Sequence, residues 1–570
     1  MCISCTRKRN KIAEKLIKSD KMLKQLTLVE DEKKDEINHI AESYTGIYAM
    51  HKYWSKKPYN IIREFILRYT NKEDIVLDPF CGSGISISES IITERKPIGI
   101  DINPSAIFIT KQMVKKIPTT LLEREFKNLR KEIKDEINSF YTVKRGGKPF
   151  IGTHFIWKGD NLMEVWYKNK KRRIVEEPTE EDVRLALSFS YEKIPYYYPK
   201  NRFFHNSRIN ANREHHIYDL FTPRNLMGLS LLMDRIEKIE KSSFRKFFTF
   251  CFTASVGQAS KMVFVIKRRG KYNKKSRKPK KEVGSWVIGY WIPKENFEIN
   301  VWNCFENRYR RIIKAKKIQE STPYTIKEAE TFEELGSQNV LLVNGPAQKA
   351  LKEIPDNSVD YVITDPPHGN RQPYLELSMM WNNWLKKSVD YEDEIVISES
   401  KDRNKDIHNY YQLLNEVFVE IERVLKPDHR FSLLFNSLDD ETWMNLLLTM
   451  NDLKFQLEKV ETLGYSAHSV VQDTRQAGLK TDFILTFRKA LTKNIQNIEL
   501  ISVRNDRGYI TSLIETYVKK SENGVYTYLI LNFLVSELLQ QNKFFRLSEV
   551  LNVLKMEFER EGNKWIRRKI

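Results

Sequence analysis

The sequence predicts an α/β protein: a doubly wound, mostly parallel sheet split by a large insert, with helical extensions at both ends. Short β-branched runs end in a glycine-rich turn or a carboxylate and are followed by helical segments, first near residues 75–101 and again near 340–435. Between these stretches the composition turns to aromatic and basic residues, which marks the insert. The expected division is a helical arm over 1–45, a first α/β half over 46–145, an inserted domain over 146–335, a second α/β half over 336–497 and a C-terminal helical domain over 498–570.

Each element has its own signal. The arm is charged, with Leu16, Ile17, Met22, Leu23 and Leu26 near helical spacing. The run 75–77 ends in Asp78-Pro79-Phe80-Cys81-Gly82-Ser83-Gly84, a helical segment follows over 85–93, and Pro97-Ile98-Gly99-Ile100-Asp101 reads as a buried strand ending in an acid. The insert holds Tyr196-Tyr197-Tyr198, Phe203-Phe204 and His215-His216. It also holds a run, 267–281, in which ten of fifteen residues are Lys or Arg. Gly270, Pro279 and the near-absence of apolar residues make that run a solvated loop or a phosphate-binding segment. Strands are expected again at 340–343 and 361–363, a helix over 411–425 closed by Lys426-Pro427, a strand at 431–435, and a terminal hairpin from 459–465 and 481–487. Residues beyond 498 look helical and separate.

Length and composition narrow the function. A chain of 570 residues with 41% hydrophobic and 12% aromatic residues is globular. A net charge of +21 points to a polyanionic partner, nucleic acid first. Five scattered cysteines exclude a disulfide scaffold, and Cys2-x-x-Cys5 has no second ligand pair, so no metal site is expected. The N-terminus has no apolar core of a signal peptide, and the apolar stretch 528–539 is too short to span a bilayer. A soluble, cytoplasmic protein without membrane contact is expected.

Two loops carry chemistry. Small residues in the Asp78–Gly84 stretch let the backbone turn sharply and approach a ligand. It lacks the third glycine of G-x-G-x-x-G and the Lys-Ser/Thr of a P-loop, which disfavours a pyrophosphate cofactor. Asp101, at the end of the next strand, is placed to accept hydrogen bonds from ribose hydroxyls. In the second loop, Asp365-Pro366-Pro367-His368 follows a buried strand, where open α/β sheets bind ligands. The Asp365 carboxylate and the Pro366 carbonyl form an acceptor pair suited to an exocyclic amino group, and a planar side chain at 368 could stack on a flipped base.

At these residues the chain resembles the S-adenosylmethionine-dependent amino-group (N6-adenine/N4-cytosine) DNA methyltransferases. Phe80-x-Gly82-x-Gly84 resembles their motif I and Asp365-Pro366-Pro367 their motif IV. His51-Lys52-Tyr53-Trp54-Ser55-Lys56-Lys57-Pro58 resembles the segment that cups the methionine end of the cofactor, and Leu479-Lys480-Thr481-Asp482-Phe483 the closing hairpin. The resemblance spans roughly 46–145 and 336–490 and has the α-type motif order, with a target-recognition domain between the halves. It implies a Rossmann-like methyltransferase fold, S-adenosylmethionine as cofactor and double-stranded DNA as substrate. It also implies a restriction–modification setting, in which a cognate nuclease or other defence subunit is a further candidate partner.

The resemblance assigns Asp365, Pro366, Pro367 and His368 to catalysis. It assigns Tyr53, Trp54, Lys57, Pro58, Asp78, Phe80, Gly82, Gly84, Asp101, Ile102 and Asn344 to the cofactor. Lys267, Arg268, Arg269, Lys274, Lys275, Arg277 and Lys278 are the expected DNA contacts, with Asn206-Ser207-Arg208, Asn225 and Tyr196–Tyr198 as candidates for base readout. Two departures from the family pattern keep alternatives open. His368 stands where Tyr, Phe or Trp is usual, and Pro346 replaces an acid that contacts the cofactor adenine; Asn344 and Asp160 are candidate substitutes. Asp at 365 favours N6 of adenine. The alternatives are N4-cytosine methylation, a catalytically weak module that binds cofactor and DNA, and an RNA methyltransferase.

Overall fold

A computed structural model describes residues 40–170, 172–272, 279–287, 289–437, 439–463, 479, 481–492, 496–521 and 524–568, with the side chains of 269–272 and 279 left aside. The expected N-terminal arm therefore lies almost wholly outside the described residues.

The chain opens the central sheet with β1 (Ile75–Asp78) and β2 (Lys96–Asp101). It then leaves to build β3 (Thr142–Arg145), β4 (Lys148–Lys158), β5 (Asn161–Asn169), β6 (Arg172–Glu176), β7 (Val263–Tyr272), β8 (Pro279–Trp286) and β9 (Glu295–Ile299). It returns with β10 (Glu328–Ala329), β11 (Val340–Asn344), β12 (Val359–Thr364), β13 (Leu425–Phe435), β14 (Phe455–Thr462) and β15 (Phe483–Lys489). The central sheet has eight strands in the order β10-β11-β2-β1-β12-β13-β15-β14. The six from β10 to β13 run parallel, and β15 pairs antiparallel with both β13 and β14. The hairpin expected at the end of the second half is this β14–β15 pair.

Both faces of the sheet are buried, and the side-chain period of two decides which core each residue joins. On β12, Tyr361 and Ile363 enter one core and Val362 the other, and a register shift against β13 between Val359 and Tyr361 puts Val359 with Val362; on β11, Val340 and Leu342 oppose Leu341. The first core continues without a break into the insert, whose strands form a second, antiparallel sheet in the order β6-β5-β4-β9-β7-β8, with β3 on β4. A buried Arg224–Glu298 pair fastens the helix Pro223–Glu237 to β9, with Trp157 Nε1 donating to the same carboxylate at 2.8 Å.

Three expectations need correction. The central sheet takes back β10 at Glu328–Ala329, inside the stretch assigned to the insert, because two residues paired in parallel with β11 are too short to show as a strand pattern. The basic run is not a loop throughout: its two ends, 267–272 and 279–281, belong to β7 and β8, which pair antiparallel, and 273–278 lie outside the described residues. The C-terminal region is neither purely helical nor separate. It carries short strands, and its apolar face merges with the second core, where Phe544 stacks on Trp443 at 5.4 Å. Among the described residues no helix is long and apolar enough to cross a membrane.

Candidate active site

Parallel strands end at one edge of a sheet, and connecting loops there can converge. Here β1, β2 and β12 do so around an open cleft of about 950 Å³, lined by Tyr53, Trp54, Lys57, the Asp78–Ser83 loop, Asp101, Ile102, Asp365, Pro367 and Tyr374, among others. The loop after β1 is held by backbone geometry. Gly82 sits at φ +50° and Gly84 at φ +73°, a region that favours glycine. A side-chain carbon on Gly82 would meet the Tyr53 ring at 3.2 Å, so a glycine keeps this wall open.

Asp101 accepts from the Gly82 and Asn103 backbone N–H groups, both at 2.8 Å. Burial outweighs these bonds and pushes its carboxyl up to about 7. The carboxylate retains lone pairs for further donors from the cleft. Asp78 has a different task. It accepts from Phe80 N at 3.1 Å, from the Thr364 hydroxyl at 2.6 Å and from the Ser86 hydroxyl, which ties the loop to the end of β12; burial raises its carboxyl to about 6.

Asp365 follows β12 directly. Lys57 Nζ lies 3.2 Å from its Oδ1 and 2.6 Å from Asp482 Oδ2, joining three distant segments at one ammonium. His368 faces Asp365 Oδ1 with Nε2 at 3.0 Å and the Asn436 carbonyl with Nδ1 at 2.7 Å. Behind these groups Asn103 Nδ2 donates to Tyr53 Oη at 3.1 Å and Ser378 Oγ at 2.7 Å, while Asn103 Oδ1 accepts from Asn382. One buried amide thus joins the 51–58 segment, the glycine loop side and the helix Met379–Trp384 beyond Asp365. Trp54 stacks on Trp381 at 4.6 Å as a further clamp.

A glycine cradle and a buried acid share this cleft with an Asp-Pro-Pro turn, and comparison with known proteins agrees on the class. Residues 6–112 match the model of a family described as DNA methylase, N6_N4_Mtase. In that segment the chain is similar to the DNA methylases of the N6/N4 family. Type II methyltransferase M.MjaII of Methanocaldococcus jannaschii is 27% identical over 165 residues, 27% of this chain and 29% of its own length. M2.MboI of Moraxella bovis is 35% identical over 83 residues, 14% of this chain and 30% of that one. M.EcaI of Enterobacter cloacae is 34% identical over 64 residues, 11% and 14% of the two chains. The matches thus span less than a third of these relatives. The solved structure of a DNA modification methylase from Thermus thermophilus, named putative in its own description, aligns over 26% of this chain and 53% of its own at 16% identity, with a TM-score of 0.17 too low to bear on the fold.

Within the cleft the residues expected to meet a cofactor divide. Tyr53, Trp54, Lys57, Asp78, Phe80, Gly82, Asp101 and Ile102 line it. Gly84 lies behind it and starts the helix Ile85–Ile92, and Pro58 caps the helix Tyr59–Tyr69. Asn344 is turned away: its Nδ2 donates to the carbonyls of Asp101 at 2.9 Å and Ile102 at 3.2 Å. Asp160 stands in the exposed turn between β4 and β5. A polar group at that wall is Gln348, two residues beyond Pro346. It is 3% exposed and lines the cleft; its Nε2 donates to the Asp393 carbonyl, and its Oε1 has no partner. A lone Gln in a four-residue helix gives no sequence signal.

Among the catalytic candidates, Asp365 and Pro367 line the cleft, Pro366 is buried, and His368 is turned from it by its two bonds. The Pro367 carbonyl, for its part, accepts from Tyr410 Oη at 2.7 Å. Of the basic run, Lys267 and Arg268 are exposed but paired, to Glu295 at 2.5 Å and Glu282 at 2.8 Å. Arg269, Lys274, Lys275, Arg277 and Lys278 lie outside the described side chains. Asn225 is fully buried, bonded to Tyr141 and to the carbonyls of Ala259 and Ile299, and so supports the core instead of facing a base. Asn206 reaches the buried Glu376 at 2.7 Å, a bond from the insert to the second half.

Proposed function

We propose that the protein transfers a methyl group from S-adenosylmethionine to an exocyclic amino group of a base in double-stranded DNA, N6 of adenine in preference to N4 of cytosine. The observation that carries this reading is the juxtaposition, in one cleft, of the Gly82–Asp101 cradle with the Asp365 carboxylate. The donor set fits the cofactor: Asp101 for ribose hydroxyls, the aromatic Tyr53 for the methionine end, and the unpaired Gln348 Oε1 for the adenine amino group. When bound, that cofactor supplies an electrophilic methyl group. The preference for adenine rests on Asp, where Ser would favour cytosine, at the first position of the Asp-Pro-Pro turn.

An exocyclic amino nitrogen is a poor nucleophile because its lone pair is delocalised into the ring. Asp365 would accept an amino hydrogen, favour pyramidal nitrogen and stabilise the positive charge that develops there during attack. Lys57, shared between Asp365 and Asp482, fixes the orientation of that carboxylate. A duplex base must leave the stack to reach it. The β7–β8 ribbon, with its ten basic residues in fifteen, has the width that a major groove admits, and it supports assignment of the insert to target recognition. By likeness to type II relatives, the setting would be restriction–modification with a nuclease of matching specificity.

Incubation with methyl-labelled S-adenosylmethionine and unmodified genomic DNA, followed by separation of nucleosides by mass, tests the reading. Label in N6-methyladenine that is lost in Asp365→Ala is the expected result. Label in N4-methylcytosine would correct the base, and label only in RNA the substrate. Absence of both label and cofactor binding would refute the proposal.

A further inference from the structure

The C-terminal region has a chain order of its own. The helix Arg507–Lys519 leads to β17 (Val525–Tyr526), the helix Thr527–Gln540, the helix Leu547–Glu557, and a hairpin of β19 (Phe558–Glu561) and β20 (Lys564–Arg567), numbered with two-residue strands at Glu499–Leu500 (β16) and Lys543–Phe544 (β18). The three-stranded sheet has the order β17-β20-β19, with both pairings antiparallel. Helix, strand, helix, helix, strand, turn, strand, with the last strand in the middle, is the topology of a winged helix-turn-helix. In that arrangement the third helix and the hairpin tip project together from one side.

Packing supports the assignment. Tyr517 stacks on Phe533 at 4.4 Å between the first two helices, and Trp565 Nε1 donates to Thr527 Oγ1 at 2.8 Å, fixing the hairpin to the second. The third helix buries Val550, Val553 and Leu554 and exposes Asn552, Lys555 and Met556. Gly562, at φ +60°, and Asn563 form the exposed hairpin tip, flanked by Glu561 and Lys564, with Arg560 Nε donating to the Gly562 carbonyl at 3.0 Å and exposed Arg567 and Arg568 following. Glu559 and Glu561 alternate onto the strand face opposite Phe558, away from the helices. Apart from Glu559 and Glu561, the exposed helix face and wing carry Asn552, Lys555, Arg560, Asn563, Arg567 and Arg568, amide and basic side chains that suit base edges and phosphates.

Position ties this module to the cleft. Asp440 caps the third helix, accepting from Leu547 N at 2.7 Å and from the Ser548 hydroxyl at 2.5 Å, and Arg546 pairs with Glu441 at 2.9 Å. The helix Asp440–Asp452 begins four residues after Asn436, whose carbonyl bonds His368. The anchor of the third helix is therefore at the sheet edge that holds Asp365.

We infer that residues 507–568 form a winged helix-turn-helix that grips duplex DNA beside the methylation cleft. The inference rests on DNA being the substrate but adds a second contact, independent of the insert. Duplex held by Lys555, Arg560 and the hairpin tip would be presented to the cleft from the side opposite the cofactor loop.

The full-length protein with Asn552→Glu/Lys555→Glu, and separately with Asn563→Glu, tests it. Affinity for a mixed-sequence 40-base-pair duplex is read by fluorescence anisotropy over a salt series. Expected are a loss of about tenfold for the double variant, a smaller loss for the tip variant, and a shallower salt dependence for the double variant, by about one phosphate contact. Melting temperature and S-adenosylhomocysteine affinity serve as controls and stay at wild-type values. Wild-type duplex affinity in both variants overturns the inference even if methylation is intact, as would a protein partner whose capture, and not DNA binding, the variants abolish. If genomic DNA is never methylated but the variants weaken duplex binding as stated, the inference stands and the methyltransferase reading falls. A wild-type protein that binds no duplex overturns both.

Discussion

Substitution of Gly84 by alanine should weaken cofactor binding for two separable reasons. The backbone there has φ +73° and ψ 40°, and a left-handed conformation costs an L-residue roughly 1–2 kcal/mol. The new Cβ would also lie 2.7 Å from Thr110 Oγ1 and 3.0 Å from Thr110 Cβ, and overpacking of this kind costs about 1–3 kcal/mol. Thr110 cannot simply turn aside, because its hydroxyl donates to the Gly82 carbonyl at 3.1 Å and so helps to shape the loop that holds Asp101. The sum, roughly 2–5 kcal/mol, should appear as a lower melting temperature and a weaker S-adenosylhomocysteine affinity by calorimetry. Thr110→Ala in the Gly84→Ala background removes Oγ1 and the methyl and should relieve most of the steric part, leaving the 3.0 Å contact with Cβ and the conformational part. A double-mutant cycle would then show a favourable coupling of about 1–3 kcal/mol. Gly84→Ala with wild-type stability and affinity, or a double variant as impaired as the two singles added, would refute this account of the loop.

Three further outcomes follow from the same cleft. Gln348→Leu should weaken S-adenosylhomocysteine about 2- to 12-fold, the value of one neutral hydrogen bond, and an unchanged affinity would remove Gln348 from the cofactor wall. His368→Phe tests positioning against stacking: loss of the bond to Asp365 should lower kcat about 10- to 100-fold with cofactor affinity unchanged, whereas a stacking residue would tolerate a larger ring. Asp101 titrates near 7 in the fold and near 4 unfolded, so the folded state binds the extra proton between those values and unliganded stability falls as pH rises from about 4 to about 7. Ribose hydroxyls favour its ionised form, so S-adenosylhomocysteine affinity should drop by up to about tenfold per unit as pH falls below about 7, and a flat calorimetric profile from pH 5.5 to 8 would contradict that role.

Much of the sheet was legible because its signals are local. β1 and β2 each announce themselves by a β-branched or apolar run and end in an acid, and the turn after β12 is marked by two prolines. What stayed hidden depends on pairings far apart in the chain. The link from Thr364 to Asp78 spans 286 positions and makes Asp78 a brace for the loop as much as a ligand wall. Gln348 stands out only because its acceptor is left unpaired inside a cleft whose walls come both from residues 53–102, more than two hundred positions upstream, and from 363–395. Asn344 was the more conspicuous polar residue, yet carbonyls at the end of the neighbouring strand claim its amide. The ends of the basic run misled for a related reason: composition reports solvation, and strand residues such as Lys267, Arg268 and Lys280, exposed in the β7–β8 pair, are as solvated as a loop. At the C-terminus, strands of two to four residues leave little periodicity to read, so it is the pairing of β20 with both β17 and β19 that distinguishes a small sheet from a helical tail.

The same non-local bonds bear on how target and cofactor would be coupled. Asp365 touches Lys57 and His368, Lys57 also holds Asp482, and His368 is fixed by Asn436, which itself donates to the Thr481 carbonyl at 2.8 Å. On the cofactor side Asn103 ties the acid-bearing loop to Tyr53 and to Ser378, beyond the same Asp-Pro-Pro turn. Displacing any one of these groups breaks bonds to its neighbours, and each buried polar atom left unpaired costs about 1–3 kcal/mol. Closure of the cleft around one ligand therefore orders the wall that receives the other. Asn103, which touches neither Asp365 nor the expected path of the base, should for that reason influence both binding steps: an apolar replacement would loosen Tyr53 on one side and Ser378 on the other, and weaken the dependence of duplex affinity on cofactor.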